Sequence, residues 1–283
     1  MTSPISSREA AEVAAANESG RQPVVFVHGL WLLPSSWAPW RELFEERGFA
    51  TVAVDWPDDP ATVTEARANP STFAGKTVGA ISGHVAEVVG GLARKPVVIG
   101  HSFGGLITQK LAGQGLALAS VAIDPAPFRG VLPLPVSSLR AAFPVLGNPG
   151  NRKRQVMLTA EQFRFAFTNA VSEAEATRLY DEFPVPGAGL PLFQAAAANL
   201  NPRSETRVDT KNPDRGPLLI ISGEKDNTAP WAIANASYKK QRRNPNPTEI
   251  KEIPGRGHSL VIDSGWPEVA EAALTFLGQH GVQ

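Results

Sequence analysis

Residues 96–108 read PVVIGHSFGGLIT, and this stretch constrains the fold more than any other. A β-type apolar run, VVI, stops at Gly100, and a helix-compatible run, LITQKLAG, begins just after Gly105. Between them Gly100, Ser102 and Gly104 form a G-x-S-x-G pattern. A serine on so sharp a strand-to-helix turn takes a strained backbone conformation. The positions two residues away on either side must be tiny, because a Cβ there would clash with the adjoining strand and helix. The turn pushes the hydroxyl out to where a substrate can reach it. The chain must therefore build a sheet whose strand ends at residue 100 and a helix that leaves from residue 103.

The rest of the sequence supplies that sheet. Short runs rich in Val and Ile occur at residues 23–28 (PVVFVH), 49–55 (FATVAVD), 96–100, 119–124 (ASVAID), 217–222 (PLLIIS) and 248–253 (TEIKEI). Most are continuously apolar rather than alternating, as expected of parallel strands covered on both faces. Helical patterns lie between them at 36–47, 72–94, 103–113, 230–242 and 266–280. Strand–helix alternation predicts an α/β fold, with a mostly parallel sheet of about six strands and helices on both faces.

One segment interrupts the alternation. Residues 129–214 hold no strand candidate, but helix-like stretches at 159–170, 172–182 and 190–200 follow the Pro-rich GVLPLPVSS. A helical insertion at that point sits over the C-terminal ends of the strands, where open α/β sheets bind ligands. The expected organisation is a core domain of 21–128 and 215–283, a helical cap or lid of 129–214, and an N-terminal arm of 1–20 that is either loose or a short helix.

Composition removes several function classes. Lys+Arg and Asp+Glu are both 27, so no basic excess points to nucleic acid. The absence of cysteine excludes disulfide scaffolds, thiol nucleophiles and Cys-ligated metal. The first twenty residues lack the apolar core of a secretory signal. No run approaches the ~18 apolar residues of a membrane span, so a cytoplasmic protein is expected. FAGKTVG at 73–79 shares GKT with a phosphate-binding loop but lacks the upstream glycine at the required spacing.

A neutral serine needs a base, and the base needs a group to orient it. Of the five histidines, His258 stands in a Gly-rich loop, IPGRGHSLVID, between the last strand candidate and the C-terminal helix. For the acid, Asp226 in LLIISGEKDNTAP follows a strand end by four residues. Asp124, at the end of ASVAID, is its rival. The order Ser102, Asp226, His258 matches a nucleophile-elbow hydrolase. Backbone N–H donors for a developing oxyanion are expected from Phe103, at the helix start, and from Leu30 in FVHGLW, with Gly29 permitting the turn and Trp31 as the fallback. His28 reads as a residue that fixes this loop. The apolar side chains of Trp31, Leu32, Phe128, Phe163 and Phe167 are the expected substrate contacts, which favours a hydrophobic ligand.

The set HGLW, GHSFGG, SGEKDNTAP and GRGHS resembles the α/β-hydrolase superfamily, in the style of bacterial capped serine esterases. The resemblance covers nearly the whole chain from Arg21. It implies a Ser102–His258–Asp226 triad and an acyl-enzyme route that uses neither metal nor cofactor. It also implies a small hydrophobic carboxylic ester as substrate. Only about twenty residues precede FVHG, so the superfamily's first strands are expected to be shortened or missing. Serine rather than aspartate at the elbow separates the chain from the related haloalkane dehalogenases and epoxide hydrolases. C–C, lactone or amide cleavage and perhydrolysis remain open as alternatives, because the same fold and triad serve several reactions. A ligand receptor without turnover is a further alternative.

Overall fold

The computed structural model describes residues 4–282. Strands β1 (Pro23–Val27), β2 (Ala50–Val54), β3 (Val97–His101), β4 (Ala119–Ile123), β7 (Leu218–Gly223) and β8 (Thr248–Ile253) form one sheet in the order β2-β1-β3-β4-β7-β8. All its pairings are parallel. β5 (Gln155–Val156) and β6 (Gly187–Ala188) make a separate two-residue antiparallel ribbon. That ribbon falls where the sequence offered no strand candidate, since two residues carry no readable period. The helices are α1 (Ser7–Ser19), α2 (Ala38–Glu46), α3 (Val63–Ala68), α4 (Val78–Gly90), α5 (Phe103–Gly113), α6 (Val136–Leu146), α7 (Ala160–Ala166), α8 (Glu173–Glu182), α9 (Leu190–Ala196), α10 (Trp231–Gln241) and α11 (Trp266–Gln279).

The continuous apolar runs have the predicted cause. Every residue of β1, β2, β3, β4 and β7 is buried. β8, on one edge, alternates and keeps its charged residues outside. Aromatic rings fill the space beneath α2. Phe26 of β1 stacks on Trp37 at 5.0 Å and meets Phe44 edge-on at 5.4 Å, and Trp40 packs across both. Such pairs each add roughly 0.5–1.5 kcal/mol beyond their area.

The other edge, β2, is closed by the N-terminal segment. Ser6 and Glu9 form a reciprocal capping box that starts α1. The outward N–H groups of Ala53 and Asp55 donate to Glu12 Oε2 and Glu9 Oε1, each at 3.0 Å. His84 of α4 reaches the same Glu9 oxygen at 2.9 Å, with both side chains buried. Arg8 pairs with Asp55 at 2.7 Å. The expected arm is thus, over Ser7–Ser19, a helix whose carboxylates occupy the position of a further strand; residues 1–3 of that segment lie outside the described residues.

α6 is the largest departure from the expected helices. The sequence shows GVLPLPVSS as a Pro-rich entry to the insertion, with helix-like stretches only from residue 159. The chain leaves it straight into a helix after Pro135 and keeps the helix through Pro144. Pro135 stands at the N-cap with extended backbone (φ −60, ψ 145), where its missing N–H removes no intrahelical bond. Pro144 lies close enough to the C-terminus to disturb only the last turn.

Candidate active site

Ser102 is the N-cap of α5, with φ +57 and ψ −118. The strain sits in a tight frame. Its N–H donates to Ile123 O at 2.9 Å, and its carbonyl accepts from Ala126 N at 2.9 Å and Leu106 N at 3.1 Å. The glycine requirement is steric: a Cβ at Gly100 would run into the Gly104 carbonyl and the Thr108 hydroxyl.

The loop after β7 delivers Asp226. Its Oδ1 accepts from the amides of Thr228 at 2.6 Å and Ala229 at 2.9 Å. Its Oδ2 accepts from His258 Nδ1 at 2.7 Å, and both side chains are fully buried. A carboxylate cannot donate, so this bond puts the imidazole proton on Nδ1 and leaves the Nε2 lone pair free. Nε2 is buried and has no hydrogen-bond partner among the described residues. An orphaned acceptor of this kind marks a group waiting for a donor. The rival acid, Asp124, lies 3.8 Å from His258 Nδ1, beyond hydrogen-bond length.

Two further residues belong to this cluster. His101 Nε2 donates to the His258 carbonyl at 2.9 Å, and the two rings lie 4.7 Å apart. Burial, reinforced by neighbouring His258, holds His101 well below the usual histidine range, so it stays neutral. Asp124 has φ +42, and its Oδ1 accepts from Gly223 N at 2.8 Å. Burial, with the adjacent Asp226 charge, pushes the Asp124 carboxyl well above the usual range. His101, Asp124 and His258 offer metal-ligand atoms within 4.8 Å of one another. His101 Nε2 and His258 Nδ1, however, are already committed to the bonds that fix the histidine.

The loop after β1 approaches Ser102 from the other side. Leu32 N bonds back to Gly29 O at 3.4 Å, a turn with Trp31 at its third position and φ +66. The positive φ of this turn falls on Trp31. Gly29 is small for another reason: a Cβ there would stand 2.8 Å from the Ser102 Cβ. His28 braces the loop, with Nδ1 donating to Gly29 O at 2.9 Å and Nε2 3.0 Å from Asp59 Oδ2. Its ring stacks on Trp56 at 5.1 Å. Phe103 opens α5, so its N–H is one of the donors that a helix leaves without an internal partner.

Ser102 and Phe103 lie on the wall of a cavity of about 220 Å³. Of the expected contacts, Trp31 and Phe128 line it. Leu32, Phe163 and Phe167 do not. Leu32 is buried beneath the loop. Phe163 stacks on Phe167 at 4.7 Å, and Phe167 sets its edge against the His258 ring at 4.8 Å. These two rings pack the histidine and form no cavity wall. The lining that sequence reading missed comes from the segment entering α6 and from the helix itself, including Leu132, Leu134, Leu139 and Leu146. The signal was the apolar spacing of GVLPLPVSSLRAAFPVL, masked by its prolines.

No helix among the described residues is long and apolar enough to cross a membrane. Among curated proteins, none matches this sequence. Solved structures do resemble it. A monoacylglycerol lipase from Paleococcus ferrophilus is 21% identical, covering 91% of this chain and 94% of that one, with a TM-score of 0.63. A thermophilic esterase from Thermogutta terrifontis is 19% identical, covering 92% and 90%, at 0.62. A pyrethroid hydrolase from Sphingobium faniae is 17% identical, covering 90% and 96%, at 0.62. At these identities the likeness speaks for the fold. A model of the alpha/beta hydrolase family matches residues 24–272. On that match and the six-stranded parallel sheet, the chain belongs to the alpha/beta hydrolase family.

Proposed function

We propose that this protein is a serine hydrolase that cleaves carboxylic esters of hydrophobic small molecules through an acyl-enzyme. One observation carries the reading. Asp226 holds His258 by Nδ1 at 2.7 Å, and the opposite nitrogen is buried and unpartnered among the described residues, on a ring 4.7 Å from that of His101, the residue before Ser102. The order of reaction follows. Ser102 Oγ attacks the ester carbonyl carbon while its proton passes to His258 Nε2. Asp226 stabilises the imidazolium, and the amides of Phe103 and Leu30 receive the oxyanion. As the carbon–oxygen bond to the alcohol breaks, Nε2–H protonates the leaving oxygen. Water, deprotonated by the same nitrogen, then attacks the acyl-enzyme and frees Ser102.

The lining supports a hydrophobic acyl or alcohol group, because leucines, alanines and Phe128 dominate it. Residues 129–214 act as a cap in this reading, since α6 and α9 contribute walls of the cavity that holds Ser102. A cysteine-free chain suits a reducing compartment and supports a cytoplasmic location. The test is hydrolysis of p-nitrophenyl esters from acetate to decanoate by the native protein and Ser102→Ala. Turnover that falls by roughly three orders of magnitude in the alanine variant is expected. Product release unaffected by Ser102→Ala would refute the nucleophile, and no release from any ester would refute the substrate class.

A further inference from the structure

We propose that Asp124 is a positioning residue that stays a neutral carboxylic acid and donates its proton to the Asp226 carboxylate. The kinetic part of this inference rests on the serine-hydrolase reading above; the protonation part does not. Two carboxyl groups meet here with neither exposed to solvent. Like charges so close and so dry cannot both persist, so one carboxyl keeps its proton.

Hydrogen-bond counting says which. Asp226 receives three donors, from Thr228 N, Ala229 N and His258 Nδ1. That set suits an anion. Asp124 receives one, from Gly223 N, and its Oδ2 receives none among the described residues. An ionised Asp124 would therefore bury a charge with a bare oxygen. A protonated Asp124 turns that oxygen into a donor, and the acceptor that shares its side of the imidazole is Asp226 Oδ2: the two oxygens lie 3.8 Å and 2.7 Å from the same His258 Nδ1. The charged groups around it supply no alternative partner. Of the groups on the His258 loop, Arg256 is bound to Asp263, and Asp263 also takes the Ser259 hydroxyl at 2.7 Å. His101, from β3, is neutral, spends its Nε2 proton on the His258 carbonyl, and turns its Nδ1, unpartnered among the described residues, toward Gly29.

The arrangement has a purpose. The pair carries one negative charge, matching the single positive charge that His258 acquires during attack. The backbone of Asp124 is fixed between β4 and β7 by its own N–H to Ile221 O at 2.8 Å. A proton held at that fixed point anchors Asp226, which sits on a loop, against His258.

The experiment compares wild type, Asp124→Asn, Asp124→Ala and Asp226→Asn. Asparagine keeps a donor toward Asp226 without charge, and alanine removes it. In kcat on a p-nitrophenyl ester, Asp124→Asn should lose less than about tenfold, Asp124→Ala about tenfold or more, and Asp226→Asn roughly 10³-fold or more. KM should change little across the set. The infrared difference between wild type and Asp124→Asn at neutral pH should show a protonated-carboxyl band that belongs to Asp124. Absence of that band overturns the protonation assignment. Asp124→Asn as damaging as Asp226→Asn, or Asp124→Ala as active as wild type, overturns the positioning role. Should Asp124→Ala not fold, the asparagine variant and the infrared band still decide. Should wild type hydrolyse no ester, the serine-hydrolase reading fails, and the band alone decides the state of Asp124.

Discussion

His101 Nε2 donates to the backbone carbonyl of His258 at 2.9 Å, so the residue beside the proposed nucleophile holds the loop that carries the proposed base. The strand and the loop are thereby tied across the site by one neutral donor. His101→Phe keeps a ring but loses the N–H. It should lower kcat by roughly 10–100-fold, because small misplacements of a catalytic group cost that much. His101→Gln, which retains a donor, should recover part of the loss. Steady-state kinetics on both variants measures this, and equal activity in all three proteins would show the tie to be dispensable.

The proposed triad predicts strong non-additivity. Ser102→Ala and Asp226→Asn should each cost roughly 10³-fold or more in kcat, while the double variant should be little worse than Ser102→Ala alone. Losses that simply multiply would mean that the two residues act independently.

The cavity wall offers a specificity test. Ala141 of α6 lines the cavity and is buried. Ala141→Phe fills part of the 220 Å³. The ratio of kcat/KM for decanoate over acetate should drop about tenfold or more, within the 1–3 kcal/mol range of a filled apolar pocket. A ratio that does not move would place the acyl chain elsewhere.

Glu9 gives a pH signature in stability. Burial opposes its charge, but hydrogen bonds from His84 and Ser6 outweigh that and hold the carboxyl below the usual range. A depressed carboxyl contributes stability that is present above its unfolded pKa, near 4.3. That contribution is lost as pH falls through the lower folded value. Glu9→Gln should destabilise the protein by roughly 1–3 kcal/mol at neutral pH, and the gap should narrow in acid. Thermal melts of both proteins across that pH range measure the gap.

The catalytic candidates were legible because each is announced locally. Ser102 lies in a turn that only glycine neighbours permit, and Asp226 and His258 each follow a β-type run within a few residues. Residues whose meaning depends on distant partners were less legible. Asp124 could be read only as a rival to Asp226, because nothing in the sequence says that both stand beside one histidine, Asp226 bonded to it and Asp124 3.8 Å away. Glu9 and His84 are 75 residues apart. α6 escaped because prolines normally signal a break, and here one stands just before the helix and another in its last turn. The positive φ falls on Trp31, at the third turn position, where no glycine marks it in the sequence, while Gly29 is small because of its close approach to Ser102.

The α1 carboxylates bear on how copies of this protein behave toward one another. Ala53 and Asp55 would otherwise offer the pattern of donors that an incoming strand needs. With Glu12 and Glu9 already on those donors, a second molecule finds no free ladder to join at β2. Proteolysis that removed the first nineteen residues would leave β2 as a template for strand exchange, so the N-terminal helix protects solubility as much as it completes the fold.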